Sequence, residues 1–311
     1  MWILLAFSSA IMLGFYDIAK KFALKRCHSF VVLAISNLIG ACIFAPFIIS
    51  SLFGLGWFDG TMFGIERGTL RDHLLLIAKS SLVLSSWICS YSGLRRTPIS
   101  LYGTINASRP VFVLLGAILI FGERLNWMQW IGVIIPIISL YLLGRTSKKV
   151  EGIDFKCDKG IWLVLCGTIL GAASGLYDRY LLRQMDSVFA QSWFSLYCAA
   201  IMNIVLLVSL VIERIKGGSI FKGDKILTGF RWSWAIILIA IFLSIADFAY
   251  FYSLTFENSM ISVVSMIRRG SVLVSFTSAA IVFNEKNLKA KAFDLFLILV
   301  GMLFLMFGSE A

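Results

Sequence analysis

Six ionisable side chains lie inside otherwise apolar stretches: Arg109, Arg268 and Arg269, and Asp17, Asp178 and Asp247. A guanidinium is a planar fork of donors that grips a carboxylate or a phosphate through two bonds at once. Three of them inside apolar segments therefore point to an anionic group on a ligand. Arg268 and Arg269 are neighbours, about 100° apart around a helix, so at most one of them faces a given cavity squarely. Each charge costs roughly 2.5–3.5 kcal/mol inside a membrane span, so such groups pair or line a wet path. A purely structural reading stands beside the ligand reading. Three arginines and three aspartates could neutralise one another and hold helices in register. Arg179, beside Asp178, is a seventh such charge, and Lys79 and Asp294 stand at the margins of apolar runs.

The elements that carry these charges follow from composition. Of 311 residues, 59% are hydrophobic and 14% charged. A soluble domain of this size carries about a quarter charged residues. The chain is therefore read as an all-α integral membrane protein. Six cysteines form no CxxC pair, and the two histidines, His28 and His73, lie at loop edges. No metal site and no cofactor are expected.

A span needs about 20 apolar residues. Ten segments qualify: 2–22, 29–50, 73–94, 98–120, 127–145, 160–182, 188–212, 232–254, 259–282 and 290–308. Residues 51–72, with Trp57, Phe58, Met62 and Phe63, read as an interfacial amphipathic stretch. Residues 146–159 form a polar cytoplasmic linker between 1–145 and 160–311, and 213–231 a basic, Gly-rich loop. Lys and Arg mark the cytoplasmic side. Loops after the odd-numbered segments hold nineteen of them, counting Lys20, Lys21 and Lys291; the opposite loops hold Arg67, Arg71, Arg124 and Arg183. This places both termini outside the cytoplasm, in a bacterial-type inner membrane. The net charge of +11 then reflects contact with anionic lipid headgroups, not nucleic acid.

The chain is written twice. GFYD at 14–17 recurs as GLYD at 175–178, an offset of 161; FGER at 121–124 recurs as FNEK at 283–286, an offset of 162. The stretch from Leu94 to Arg109–Pro110 recurs from Leu254 to Arg269–Gly270, an offset of 160. Five spans per copy force opposite orientations, giving two inverted repeats around a central cavity with the site at the midplane. Arg109 and Arg269 then occupy equivalent positions facing each other. Asp17 and Asp178 stand near opposite mouths as gating or proton-coupling groups. Asp17 also lies one turn from Lys20 and Lys21, which suits a local pair with lysine snorkelling to the interface. Asp247 lies deep in the eighth segment, and its repeat counterpart falls near Trp87. Tyr91, Tyr102, Tyr250 and Tyr252 surround these positions and read as a cavity wall or as helix packing. Asn37, Asn106 and Asn203 are expected to hydrogen-bond between helices.

This order resembles the ten-helix, EamA-type members of the drug/metabolite transporter superfamily. The resemblance rests on the two five-segment copies, on SYSGL at 90–94 and YFYSL at 250–254, and on FGER and FNEK. It implies a carrier of small metabolites working by alternating access, with a cavity lined by segments 1, 3, 4, 6, 8 and 9. The Arg268–Arg269 pair resembles the Lys-Arg pair of the plastid phosphate-translocator branch. Two features depart from the pattern: Gly270 stands where the first copy has Pro110, and the charge bias is opposite to that of the better-known bacterial amino-acid exporters. The expected substrate-binding set is Arg109, Arg269, Arg268, Asp247, Tyr91, Tyr250, Trp87 and Asn106. The expected substrate is a small anionic or zwitterionic metabolite, such as an amino acid or a phosphorylated or sulfonated compound. A flippase for a lipid-linked or phospholipid headgroup is the alternative. No HExxH, GxSxG or Walker-A sequence is present, so neither an enzyme nor an ATP-driven pump is read here. A monomer is sufficient for the fold, and membrane lipids are the expected surroundings.

Overall fold

The computed structural model describes residues 2–58, 60–61, 63–65, 68–121, 126–151, 155, 157–181, 184–216, 232–254, 256, 264, 267–285 and 288–310. Most of these residues are helical, in the order α1 (Trp2–Arg26), α2 (Ser29–Phe53), α3 (Leu70–Arg96), α4 (Ile99–Ala107), α5 (Arg109–Phe121), α6 (Trp127–Glu151), α7 (Lys159–Leu181), α8 (Ser187–Lys216), α9 (Ala235–Leu254), α10 (Ser271–Ile281) and α11 (Leu288–Glu310). Seven of them are long and apolar enough to cross a membrane, and Ala235–Tyr250 is a shorter apolar stretch. The chain is a multi-pass membrane protein. The expected fourth segment is divided at Ser108 into α4 and α5. Much of 259–270 lies outside the described residues, as do Met62, Arg67, Arg124, Arg183 and most of 213–231.

Local chemistry sets the helix ends. Thr69 and Asp72 form a capping box at the start of α3, satisfying two amides that a helix start leaves open. Gly54 ends α2 at φ 64, the left-handed conformation that glycine adopts without a Cβ clash. α6 does not stop where the polar linker was expected. It runs on to Glu151, and α7 begins at Lys159.

α1 packs along α9, α3 along α7, α2 along α8, and α6 along α11. Small residues permit these approaches. Gly93 and Gly167 bring α3 against the backbone of α7; Gly132 and Gly301 bring α6 against α11, with the Pro136 ring seated on Gly301. The outward faces are apolar. On α1 they carry Leu4, Phe7, Ile11 and Phe15, and on α8 Ile204, Leu207, Val208 and Val211. Stripes of this kind suit lipid, not water. In the 51–72 stretch, Trp57 is exposed, whereas Phe58 and Phe63 pack on Phe47 of α2.

Candidate functional site

The break between α4 and α5 positions Arg109. Pro110 has no N–H, so it cannot continue a helix through its own position, and it disfavours helical backbone at the preceding residue. The chain tightens instead: Ser108 N–H donates to Ile105 O at 3.1 Å, and Val111 N–H donates to Ser108 O at 3.0 Å. The same two bonds recur 162 residues on, from Gly270 N–H to Ile267 O and from Leu273 N–H to Gly270 O, each 2.9 Å. By this backbone match Gly270 corresponds to Ser108, so the partner of Arg109 is Ser271, not Arg269. The arginines are offset by two residues. Arg109 follows its break, whereas Arg269 precedes its own.

Arg109 and Arg269 nevertheless share one electrostatic neighbourhood with Arg268 and Tyr102. The Arg109 guanidinium lies against Gly171 of α7, where a Cβ would collide with it. Its Nε is buried and has no hydrogen-bond partner.

The aspartates are already taken, and two of the three by lysines. Asp17 pairs with Lys20 at 2.6 Å, and Asp178 of α7 with Lys79 of α3 at 3.1 Å. Among the described residues, only Asp247 of the three pairs with an arginine, Arg268. The expected neutralisation of three arginines by three aspartates does not occur among the described residues, where Arg109 and Arg269 have no carboxylate partner.

Lys20 does not snorkel. It is 3% exposed and points inward among three tyrosine rings, 4.2 Å from the Tyr16 centroid, 5.0 Å from Tyr102 and 5.3 Å from Tyr91. It also donates to the Tyr102 hydroxyl at 3.1 Å. Ring faces attract an ammonium, most strongly when it is desolvated. Tyr16 and Tyr91 are hydroxyl to hydroxyl at 3.1 Å, and Ser275 of α10 donates to Asp17 at 3.3 Å. Asp17 thus holds one ammonium in a cage of tyrosines beside the arginines, and α1 is tied to α3, α4 and α10.

On the other side, the Asp247–Arg268 pair faces a cavity of about 30 Å³ lined by Asp247, Gln191, Trp87, Tyr91, Phe194 and Asn37 among others. That is room for about two waters. Gln191 approaches Asp247 at 3.5 Å, and the Arg268 guanidinium lies 4.4 Å over the Tyr250 ring. The expected set therefore divides. Trp87, Tyr91 and Asp247 line the cavity, Arg268 and Tyr250 join it through Asp247, and Arg109 and Arg269 lie outside its lining, at the breaks. Asn106, half-buried, stands two residues before Ser108. Asn37 and Asn203 donate to Leu33 O and Ala199 O of their own helices, each at 2.8 Å, not between helices. Arg179's side chain is outside the described residues. Tyr16, Gln191 and Gly171 were not singled out from sequence, whereas the local pair of Asp17 with Lys20 was, with the lysine expected at the interface and not buried. The i, i+3 spacing of Asp17 and Lys20 carried a signal; for Gln191 and Gly171 there was none.

A bundle of apolar helices with paired helix breaks and buried charges at mid-chain defines a helical membrane protein with an internal polar site. Residues 1–145 match the EamA-like transporter family, which is part of the drug/metabolite transporter superfamily. The match spans 145 of the 311 residues, and over that stretch the chain is similar to a family of membrane transporters. One crystal structure superposes with a TM-score of 0.59 at 15% identity, covering 97% of this chain and 94% of that one. At such identity the likeness shows the shared fold alone. None of the curated proteins compared matches the sequence.

Proposed function

We propose that the chain is a secondary transporter that moves a small metabolite bearing an anionic group across the cytoplasmic membrane by alternating access. In this reading ten spans form two inverted five-span repeats, and both termini lie outside the cytoplasm. Several contacts support the repeats. Exchanging the halves turns α1 on α9 into α7 on α3, and both pairs are in contact. The pairs α2–α8 and α6–α11 map onto themselves. The 162-residue recurrence of the helix breaks supports the same relation. Helix breaks at mid-depth are where such carriers bind charged substrates.

The observation that carries the anionic substrate is the charge balance at the breaks. Asp17, Asp178 and Asp247 pair with Lys20, Lys79 and Arg268, and among the described residues Arg109 and Arg269 share one region with no ion-pair partner of their own, Asp17 lying nearby but held by Lys20. Leaving them so is costly unless an anion completes the site. The Asp247 cavity, with room for about two waters in this state, would have to widen during the transport cycle to take the rest of the molecule against Trp87 and Tyr91. Counterflow in proteoliposomes tests this reading. Vesicles loaded with one of a panel of carboxylates, phosphomonoesters or sulfonates should accumulate the labelled compound, and Arg109→Gln should abolish the uptake. Accumulation of cations only, with anions inert, would contradict it.

A further inference from the structure

We propose that Glu285 is a latch that holds one mouth of the carrier shut and positions α4, and with it Arg109. The inference rests on the carrier reading above. It begins with FNEK, whose residues dictate how α10 ends. Asn284 has φ 48, a left-handed backbone that Asn and Gly tolerate best. That turn sends its neighbours to different helices. The Phe283 ring lies 5.0 Å from Phe22 of α1, and Lys25 Nζ sits 4.6 Å from it. The Glu285 carboxylate turns to α4, accepting from Ile99 N–H at 2.7 Å, from Ser100 N–H at 3.2 Å and from the Ser100 hydroxyl.

These are the first amides of α4, donors that a helix leaves without partners. Pro98, the residue that precedes the helix, provides no side-chain cap. A carboxylate from the opposite half of the chain supplies the cap instead, and negative charge is favoured at a helix N-terminus. Lys291 Nζ donates to the Ser100 hydroxyl at 3.0 Å. From α1, Lys21 donates to Leu94 O at 2.7 Å and to Thr97 O, closing the end of α3, and it lies within electrostatic reach of Glu285. The corner between α3 and α4 is therefore gripped from α1 on one side and from the segment after α10 on the other. At the opposite end, Asp178 pairs with Lys79, but its side chain is 37% exposed.

A cap of this kind is two-state. The carboxylate holds both amides and the hydroxyl together, or water takes all of them. α4 leads directly from this cap to Ser108 and Arg109, so release of Glu285 frees the element that carries one arginine of the site.

Labelling tests this in the full chain with its six cysteines replaced. Thr104→Cys puts a thiol one turn beyond Ser100, at a fully buried position. A membrane-impermeant maleimide is applied to oriented vesicles from each side in turn. The latch predicts slow labelling with Glu285 present and a rise of roughly tenfold or more in Glu285→Ala, from one side only. Glu285→Gln, which keeps one acceptor, and Ser100→Ala should give smaller rises from that same side. If Glu285→Ala fails to fold, the two milder variants decide. Unchanged rates in both, or equal acceleration from both sides, would overturn the latch. Anion-induced stabilisation measured on the same preparations is a separate readout: its absence contradicts the carrier reading and leaves the labelling result intact.

Discussion

Asp17 pairs with Lys20, 2.6 Å away and three residues along its own helix, and not with any of the buried arginines. This one relationship changes what the charges mean. A carboxylate paired on its own helix acts on Arg109 only from a distance and forms no ion pair with it. Instead it fixes an ammonium among Tyr16, Tyr91 and Tyr102, so that the two charges offset each other beside the helix breaks.

Lys20→Met should be strongly destabilising. It leaves Asp17 buried beneath three tyrosines without its cation, a loss of about 3–5 kcal/mol for a broken buried pair. The double variant with Asp17→Asn should recover much of the loss. Thermal melting of the single and double variants checks this; equal melting of all forms would show the pair to be inert.

Gly171→Ala should act through Arg109. The added methyl meets the guanidinium, and overpacking of this kind costs about 1–3 kcal/mol. The expected outcome is a lower melting temperature together with a weaker response to anions. A drop in melting temperature with a full anion response would mean that Arg109 moves aside without consequence.

Asp247 and Arg268 should behave as a coupled pair. Asp247→Asn and Arg268→Gln alone each leave a partly buried charge unpaired, whereas the double variant removes both. Their double-mutant cycle should give an interaction of about 1–3 kcal/mol. Additive effects would separate the two residues.

Cys89 of α3 and Cys166 of α7 are free and in side-chain contact. Mild oxidation should link them within one chain, seen by mass spectrometry of the cross-linked peptides. Pairing of either with Cys42 or Cys157 instead would contradict the α3–α7 register that Ser86 and Gly167 O set at 2.7 Å.

Much of this was legible in the sequence. Long apolar runs state their own helices, because a membrane leaves the backbone no other way to satisfy its polar groups. The buried charges stood out against that background. Their partners did not, because pairing depends on which helices touch. Asp178 meets Lys79 only because α3 and α7 pack together through small residues. The offset of 160 between Arg109 and Arg269 was a true alignment of residue types. The backbone breaks follow 162, and only hydrogen bonds reveal that. Lys20 and Lys21 counted as loop charges, yet α1 continues past them and buries Lys20. The FNEK signature was visible, but its cap on α4 spans 185 or more residues of sequence and leaves no local trace. Its first-half counterpart, Gly122–Glu123, lies outside the described residues.

The most direct test of the account is ligand-dependent thermal stabilisation of the purified protein. It would be run against carboxylates, phosphomonoesters, sulfonates, zwitterions and amines, beside Arg109→Gln and Arg269→Gln. A ligand that binds only the folded state raises the melting temperature in step with its concentration over its affinity. The account predicts stabilisation by an anionic group in the native chain, lost in both variants while their ligand-free melting stays close to native. Early melting of both variants with an undiminished anion response would contradict it, making the arginines structural and moving the site to the Asp247 cavity.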